Sequence, residues 1–291
     1  MKISPAAFML GFLGGIIVLI PALYILLSSP QAKDFNHFTV HLIDRKLALA
    51  KNCADIISIG DSSGLFGLNP EIIEKETGQT FLNLNMQGSV GYAAQKTILK
   101  KVVNSGCKPS LYVLYMHPSN ILVDLSTVSG KFSDLYFQTI TNGWSGYWAR
   151  ISKYPLMIFK TLKSLSESPL EAQSWEMVFQ MAKAGYIEEK RPPLPQDCKI
   201  RRKSKGQDIQ GFQAFLKELK NIANAPILSI RAPSAACADQ SQYEIIKDEN
   251  PVDIHIDQLD STLFVDEAHT TPQGASAVSK QVAKHIRKYR P

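Results

Sequence analysis

No G-x-x-x-x-G-K-[ST] run occurs anywhere in the 291 residues, so the tetrad Asp266-Glu267-Ala268-His269 has no phosphate loop beside it. Without that loop the nucleotide-hydrolysing reading of D-E-A-H falls. Six histidines are present, and His37, His41, His117, His255 and His285 read by default as solvated or core side chains, leaving His269 for the site. No metal and no other cofactor is implied. The basic cluster "KIRRKSKG" at 199–206 carries no aromatic residue on which a base could stack. It reads as a solvated loop, with acidic lipid or an anionic polymer as its alternative contact, and nucleic acid is excluded despite a formal net charge of +6. Internal repeats and long low-complexity tracts are missing as well.

Charge is absent from another place. Residues 5–27, "PAAFMLGFLGGIIVLIPALYILL", hold no ionisable acid or base across 23 positions, enough for roughly 34 Å of helix against a bilayer core of about 30 Å. A cleavable signal peptide is the competing reading, but its apolar centre is shorter and ends at a small-x-small site, which "SSPQAK" does not supply. The expectation is an uncleaved single-pass anchor over 1–30, with Pro21 and the Gly14-Gly15 pair tolerated as in other membrane helices. Lys2 precedes the run and Lys33, Arg45 and Lys46 follow it, so charge alone does not orient it.

Cysteine is scarce but even in number: Cys53, Cys107, Cys198 and Cys237. An even set behind an export-type N-terminus suits disulfides and an extracytoplasmic, periplasm-like compartment. If the runs after Cys53 and Cys107 are neighbouring parallel strands, both thiols lie at one sheet edge. That favours Cys53 with Cys107 and Cys198 with Cys237, four reduced cysteines being the alternative.

With 45% hydrophobic and 20% charged residues over its full length, the chain is of ordinary globular composition. A connector at 31–53 carries the amphipathic stretch "HFTVHLIDRKLALAK". From residue 54 strands alternate with helical patterns: "ADIISIG" as a buried strand, "NPEIIEKETG" as a helix capped by Asn69 and stopped by Gly78, "TFLNLNMQG" as a strand, "YAAQKTILKKVVNSG" as a helix, and "PSLYVLYMHP" as a third strand. Residues 121–205 break the rhythm with an aromatic, helical insertion that includes "SWEMVFQMAKAGYIEEK" and the Pro-rich "RPPLPQD". The alternation then resumes through "FQAFLKELKNIANA", "PILSIRAP", a short strand in "VDIHID" and a closing helix in "TPQGASAVSKQVAKHIRKY". Such a succession predicts an α/β domain over 54–291, three-layered α/β/α with a mostly parallel sheet, flavodoxin-like in outline.

Ligands of such sheets bind outside the carboxyl ends of the strands. Gly60-Asp61-Ser62 follows the first strand, Gly88 the second, and His117-Pro118-Ser119-Asn120 the third; Asp266-x-x-His269 precedes the last helix. A serine hydroxyl becomes a nucleophile when an imidazole takes its proton, and the imidazole needs a carboxylate to fix its tautomer. The pentapeptide Gly60-Asp61-Ser62-Ser63-Gly64 also fits the G-x-S-x-G elbow of α/β-hydrolases. That elbow follows several strands and an oxyanion loop, whereas Ser62 follows the first strand of the domain.

In that order the four elements resemble the blocks of the SGNH, or GDSL-type, hydrolase family. The resemblance covers about residues 54–120 and 225–288. It implies Ser62 as nucleophile, His269 as base, Asp266 as its orienting partner, and Ser62, Gly88 and Asn120 as oxyanion-hole donors. The chain departs from the family in Ser63, where Leu is usual, and in the "HPSN" setting of Asn120. The expected function is a membrane-anchored serine esterase or O-acyltransferase acting on acyl esters, with cell-surface polysaccharide as a substrate by analogy. The alternative is a non-catalytic accessory protein of the same fold that binds glycan or a membrane acyltransferase partner. His117 is placed near the cleft by its neighbour Asn120.

Overall fold

The computed structural model describes residues 5–29, 38–122, 132–166, 183–189, 191–200, 209–238, 245–246, 249 and 251–289. The chain divides into two compact units, Met1–His41 with Ser129–Ala172, and Leu42–Val128 with Gln173–Pro291.

The larger unit is α/β. Its strands β1 (Ile56–Gly60), β2 (Phe81–Asn83), β3 (Leu111–Met116), β4 (Ile227–Arg231) and β5 (Ile254–His255) form one sheet in the order β2-β1-β3-β4-β5. Every pairing is parallel. In β1, β3 and β4 every residue is buried, as both faces of a parallel sheet require. Residues of alternate parity form the two faces. Ile56, Val113, Tyr115, Leu228 and Ile230 share a core with Leu68 and Ile73 and with Val278, Val282 and Ile286. Leu68 precedes α4 (Pro70–Thr77), which carries Ile73, and the other three lie on α10 (Pro272–Tyr289). Ile57, Ile59, Tyr112 and Leu114 are buried on the opposite face. There α5 (Gly91–Asn104) packs on β1 and on α9 (Ile209–Ile222), with the Tyr92 and Phe215 rings stacked 4.0 Å apart. Each fully buried Ile, Leu or Val is worth about 1.5–3 kcal/mol. The layering is consistent with a three-layer α/β/α fold.

Local signals set the boundaries. Asn69 Oδ1 accepts from the Glu71 N–H, Pro70 stands in the first turn of α4, and Gly78 closes it at φ 69°. Two expectations are corrected. The second strand is shorter than 80–88, because Asn83 and Asn85 turn inward to polar partners, although Leu84 N–H and Met86 N–H still donate to Ser58 and Gly60 carbonyls at 2.8 and 3.0 Å. The helix read through 174–190 does not persist where it is described. Lys183–Gly185 is a 3-10 turn with Ala184 at φ 53° and Gly185 at φ 89°, and 186–189 have no regular structure. A Cβ on Gly185 would lie 2.1 Å from the Asn83 carbonyl oxygen, so the chain passes too close to β2 for a helix with side chains. Residues 174–182 and 201–208 lie outside the described residues.

Both disulfides of the favoured pairing are present, Cys53–Cys107 and Cys198–Cys237, with Cα separations of 5.3 and 5.5 Å.

The smaller unit contains α1 (Pro5–Ser28), α7 (Phe132–Lys153) and α8 (Met157–Ser166). Gly143, at φ 58° and ψ −146°, breaks α7 into two halves. Asp134 and Arg150 would lie roughly 24 Å apart along a straight helix, yet Arg150 Nε is 2.9 Å from Asp134 Oδ2. The halves are therefore folded back on each other. The second half packs on α1: the Tyr147 hydroxyl donates to the Ile20 carbonyl at 2.7 Å, and Tyr24 meets Trp144 edge-on at 4.9 Å. The side chains of most of α1 before Val18 lie outside the described residues. Among the described residues no helix is long and apolar enough to cross a membrane.

Candidate active site

The site lies at the carboxyl edge of the sheet. β1 ends in Gly60, whose φ of 153° and whose approach to β3 exclude a side chain, since a Cβ would lie 1.8 Å from the Tyr115 carbonyl oxygen. Asp61 then caps α3 (Ser62–Gly67), and Ser62 takes the first helical position, where a backbone N–H has no acceptor within its helix.

The loop before α10 brings the second partner. Asp266 Oδ1 accepts the N–H groups of Ala268 and His269, both at 2.9 Å, and the Val265 N–H closes the turn on the His269 carbonyl. Asp266 Oδ2 lies 2.7 Å from His269 Nδ1, and His269 Nε2 lies 2.8 Å from Ser62 Oγ. The Phe66 ring stands edge-on to the imidazole at 5.0 Å, and Thr270 Oγ1 donates to the Phe66 carbonyl, tying the loop to α3. Burial opposes ionisation of Asp266. The hydrogen bond and charge of His269, with the two backbone donors, outweigh it and hold the carboxyl well below the usual carboxylate range.

Asp61, to which the sequence assigned no role in the site, organises it. Its Oδ1 accepts from the Ser63 N–H at 2.9 Å and from the Ser63 hydroxyl. Its Oδ2 accepts from the His117 N–H at 2.8 Å and from Asn120 Nδ2 at 2.7 Å. One carboxylate thus fixes the start of α3, the end of β3 and the Asn120 amide. That amide nitrogen carries two hydrogens, so one is left after the bond to Asp61. Asn120 also adjoins Gly88, where a Cβ would come within 2.8 Å of Nδ2. Among the described residues the backbone N–H groups of Ser62 and Gly88 donate to no protein acceptor.

Ser62, His269 and Asp266 are therefore brought together, as are Gly88 and Asn120, and Asp61 links the two groups. His117 does not face an open cleft. Its ring is buried between Ser119 Oγ and Ser234 Oγ, each 2.8 Å from a ring nitrogen.

Two further residues carried no sequence signal. Arg191, from the Pro-rich stretch, places Nη2 3.1 Å from Asp266 Oδ2 and 2.8 Å from Glu189 Oε2. It also stands 3.3 Å from His269 Nδ1. The shorter Asp266 contact takes the Nδ1 proton, which leaves Nε2 as the acceptor toward Ser62. Lys46, fully buried on α2 (Phe38–Leu49), donates from Nζ to the Asn83 and Gly185 carbonyls, both at 2.7 Å. Burial, and secondarily Arg45, push its pKa well below that of a free lysine. Asn83 Nδ2 in turn donates to the Gly64 and Leu68 carbonyls at 2.8 and 2.9 Å, so this chain of bonds braces α3 from behind.

Among the described residues no group of acidic, histidine and cysteine side chains is arranged to hold a metal ion. No protein-family model matches the chain, and no curated protein matches it.

Proposed function

We propose that the chain is an SGNH-type serine ester hydrolase or O-acyltransferase, anchored in a membrane by its N-terminal helix with the α/β unit on the extracytoplasmic side. The observation that carries the reading is the unbroken line Asp266 Oδ2, His269 Nδ1, His269 Nε2, Ser62 Oγ at 2.7 and 2.8 Å, with the Ser62 and Gly88 N–H groups and one Asn120 amide hydrogen given no acceptor among the described residues. Two disulfides support an oxidising compartment. The uncharged run at 5–27 supports the anchor.

In the reaction Ser62 Oγ attacks the acyl carbonyl carbon while its proton passes to His269 Nε2. Asp266 stabilises the resulting imidazolium. The Ser62 and Gly88 N–H groups and the Asn120 amide hold the tetrahedral oxyanion, a duty worth about 3–4 kcal/mol per donor in related chemistry. Collapse breaks the carbon–oxygen bond to the leaving alcohol, which takes the proton from His269. Water, or an acceptor hydroxyl, then loses its proton to His269 and attacks the acyl-serine. Ser62 is released with its proton restored. Hydrolysis and transfer differ only in which acceptor reaches the acyl-enzyme.

A fluorophosphonate probe tests the proposal. The folded wild type labels at Ser62, Ser62→Ala does not label, and His269→Ala labels at least ~100-fold more slowly. A folded wild type that remains unlabelled overturns it.

A further inference from the structure

Eight large apolar side chains are exposed among the described residues, and all but Tyr289 belong to the smaller unit. A soluble surface scatters such residues, whereas their concentration in one unit marks a contact. On α8 the buried face is Met157, Ile158 and Thr161, yet large apolar side chains also face the other way: Phe159 is 51% exposed, and Leu156, immediately before the helix, 70%. Lys160 and Lys163 share that sector with them, Lys163 lying one turn from Phe159 and two from Leu156. Trp144 and Trp148, stacked at 6.0 Å, are 44% and 47% exposed on α7. The only acid described in α7 and α8 is the buried Asp134.

We infer that the surface formed by Trp144, Trp148, Leu156 and Phe159 lies in the headgroup region of a phospholipid bilayer, a second membrane contact beside α1. Indoles concentrate at that depth because one edge is apolar and the N–H is polar. Lysines within such a sector lay their alkyl stems along the apolar surface and keep their ammonium groups at the level of the lipid phosphates. Position along α1 agrees. Trp144 touches Tyr24, four residues before the last residue of α1, and Tyr147 bonds Ile20, eight before it. These points lie about 6 and 12 Å from that end of the helix, the depth of a headgroup layer and of the first acyl carbons. On α1 itself Val18 and Ile25 face outward while Leu23 and Leu27 are buried. The inference rests on the anchor reading and is independent of the catalytic one.

The test uses the full chain carrying Trp175→Phe, which leaves Trp144 and Trp148 as its indoles, reconstituted in phosphatidylcholine–phosphatidylglycerol vesicles. Lipid brominated at shallow acyl carbons should quench the emission about two-fold or more, and aqueous acrylamide should quench it less than in the detergent-free unfolded chain. Indoles quenched by acrylamide and untouched by bromolipid overturn the inference. So does shielding from both quenchers, which assigns the surface to a protein contact such as a second copy of the chain. Alkaline carbonate extraction of the same vesicles reads α1 separately. A chain that resists extraction with unquenched indoles defeats the interfacial surface and leaves the anchor standing, while probe labelling of Ser62 remains a third, separate readout.

Discussion

Gly88 and Asp61 show how single residues divide the labour at the site. The three atoms nearest to a methyl group on Gly88 would all belong to the Asn120 amide, the closest at 2.8 Å. Gly88→Ala is therefore expected to fold with nearly unchanged stability and to lower kcat on p-nitrophenyl acetate by about 10²-fold, with KM little altered, by displacing one oxyanion donor. Steady-state kinetics beside thermal denaturation check both halves. A methyl group on Gly60 would instead strike the Tyr115 carbonyl and damage the fold itself. The residues brought together at Ser62 were legible in the sequence because serine, aspartate and histidine chemistry leaves few alternatives once their order along the strands is read. Asp61, Lys46 and Arg191 were not. Their roles depend on partners 59, 37 and 75 residues away, Asn120, Asn83 and Asp266, and no local pattern encodes such separations.

At the scale of elements, caps and periodicity located β1, α4, α5, β3, β4 and α10 because the forces that set them are local: Asn69 caps α4, Gly78 accepts a positive φ, and apolar runs fill both faces of the sheet. Where a tertiary contact overrode local preference the sequence misled. "TFLNLNMQG" alternates like a strand, but Asn83 and Asn85 are spent on the backbone of α3 and on Ser58. Helix α7 offers a test of an element's internal electrostatics. Asp134 is buried, and Arg150 Nε, though 2.9 Å from its Oδ2, stands off the line that a hydrogen bond needs. Burial pushes the carboxyl up to about 6 against the pull of Arg150. A carboxyl raised in the fold contributes most below its unfolded value near 4, and that contribution is lost as pH rises through about 6. Between those limits the wild type should lose on the order of 2–3 kcal/mol relative to Asp134→Asn. Denaturation midpoints of the two chains, compared across that window, should diverge with rising pH; parallel curves would contradict the assignment.

For the whole molecule, the disulfides close loops of 54 and 39 residues, and chain-entropy arguments assign each about 2–4 kcal/mol. Cys198→Ser with Cys237→Ser should lower the unfolding free energy by about that amount while leaving the rate of fluorophosphonate labelling of the folded protein within about two-fold. Denaturant titration and probe kinetics on the same samples separate the two. Division of the chain into two units was not legible in the sequence. The insertion read at 121–205 is shared between them, because the aromatic contacts of Tyr24 with Trp144 and Tyr147 tie its first part to the N-terminal helix.

The bond between Ser62 and His269 spans 207 residues, and its consequence is one of timing. Loop closure over such a distance is among the last events of folding, since local elements must form before a long closure is repaid. A chain emerging from synthesis carries its serine early and acquires its base only after the sheet and α10 are complete. Until then, on the proposed function, Ser62 has no base to take its proton. On the proposed function, esterase activity reports completed folding, and no partly folded form should display a fraction of it.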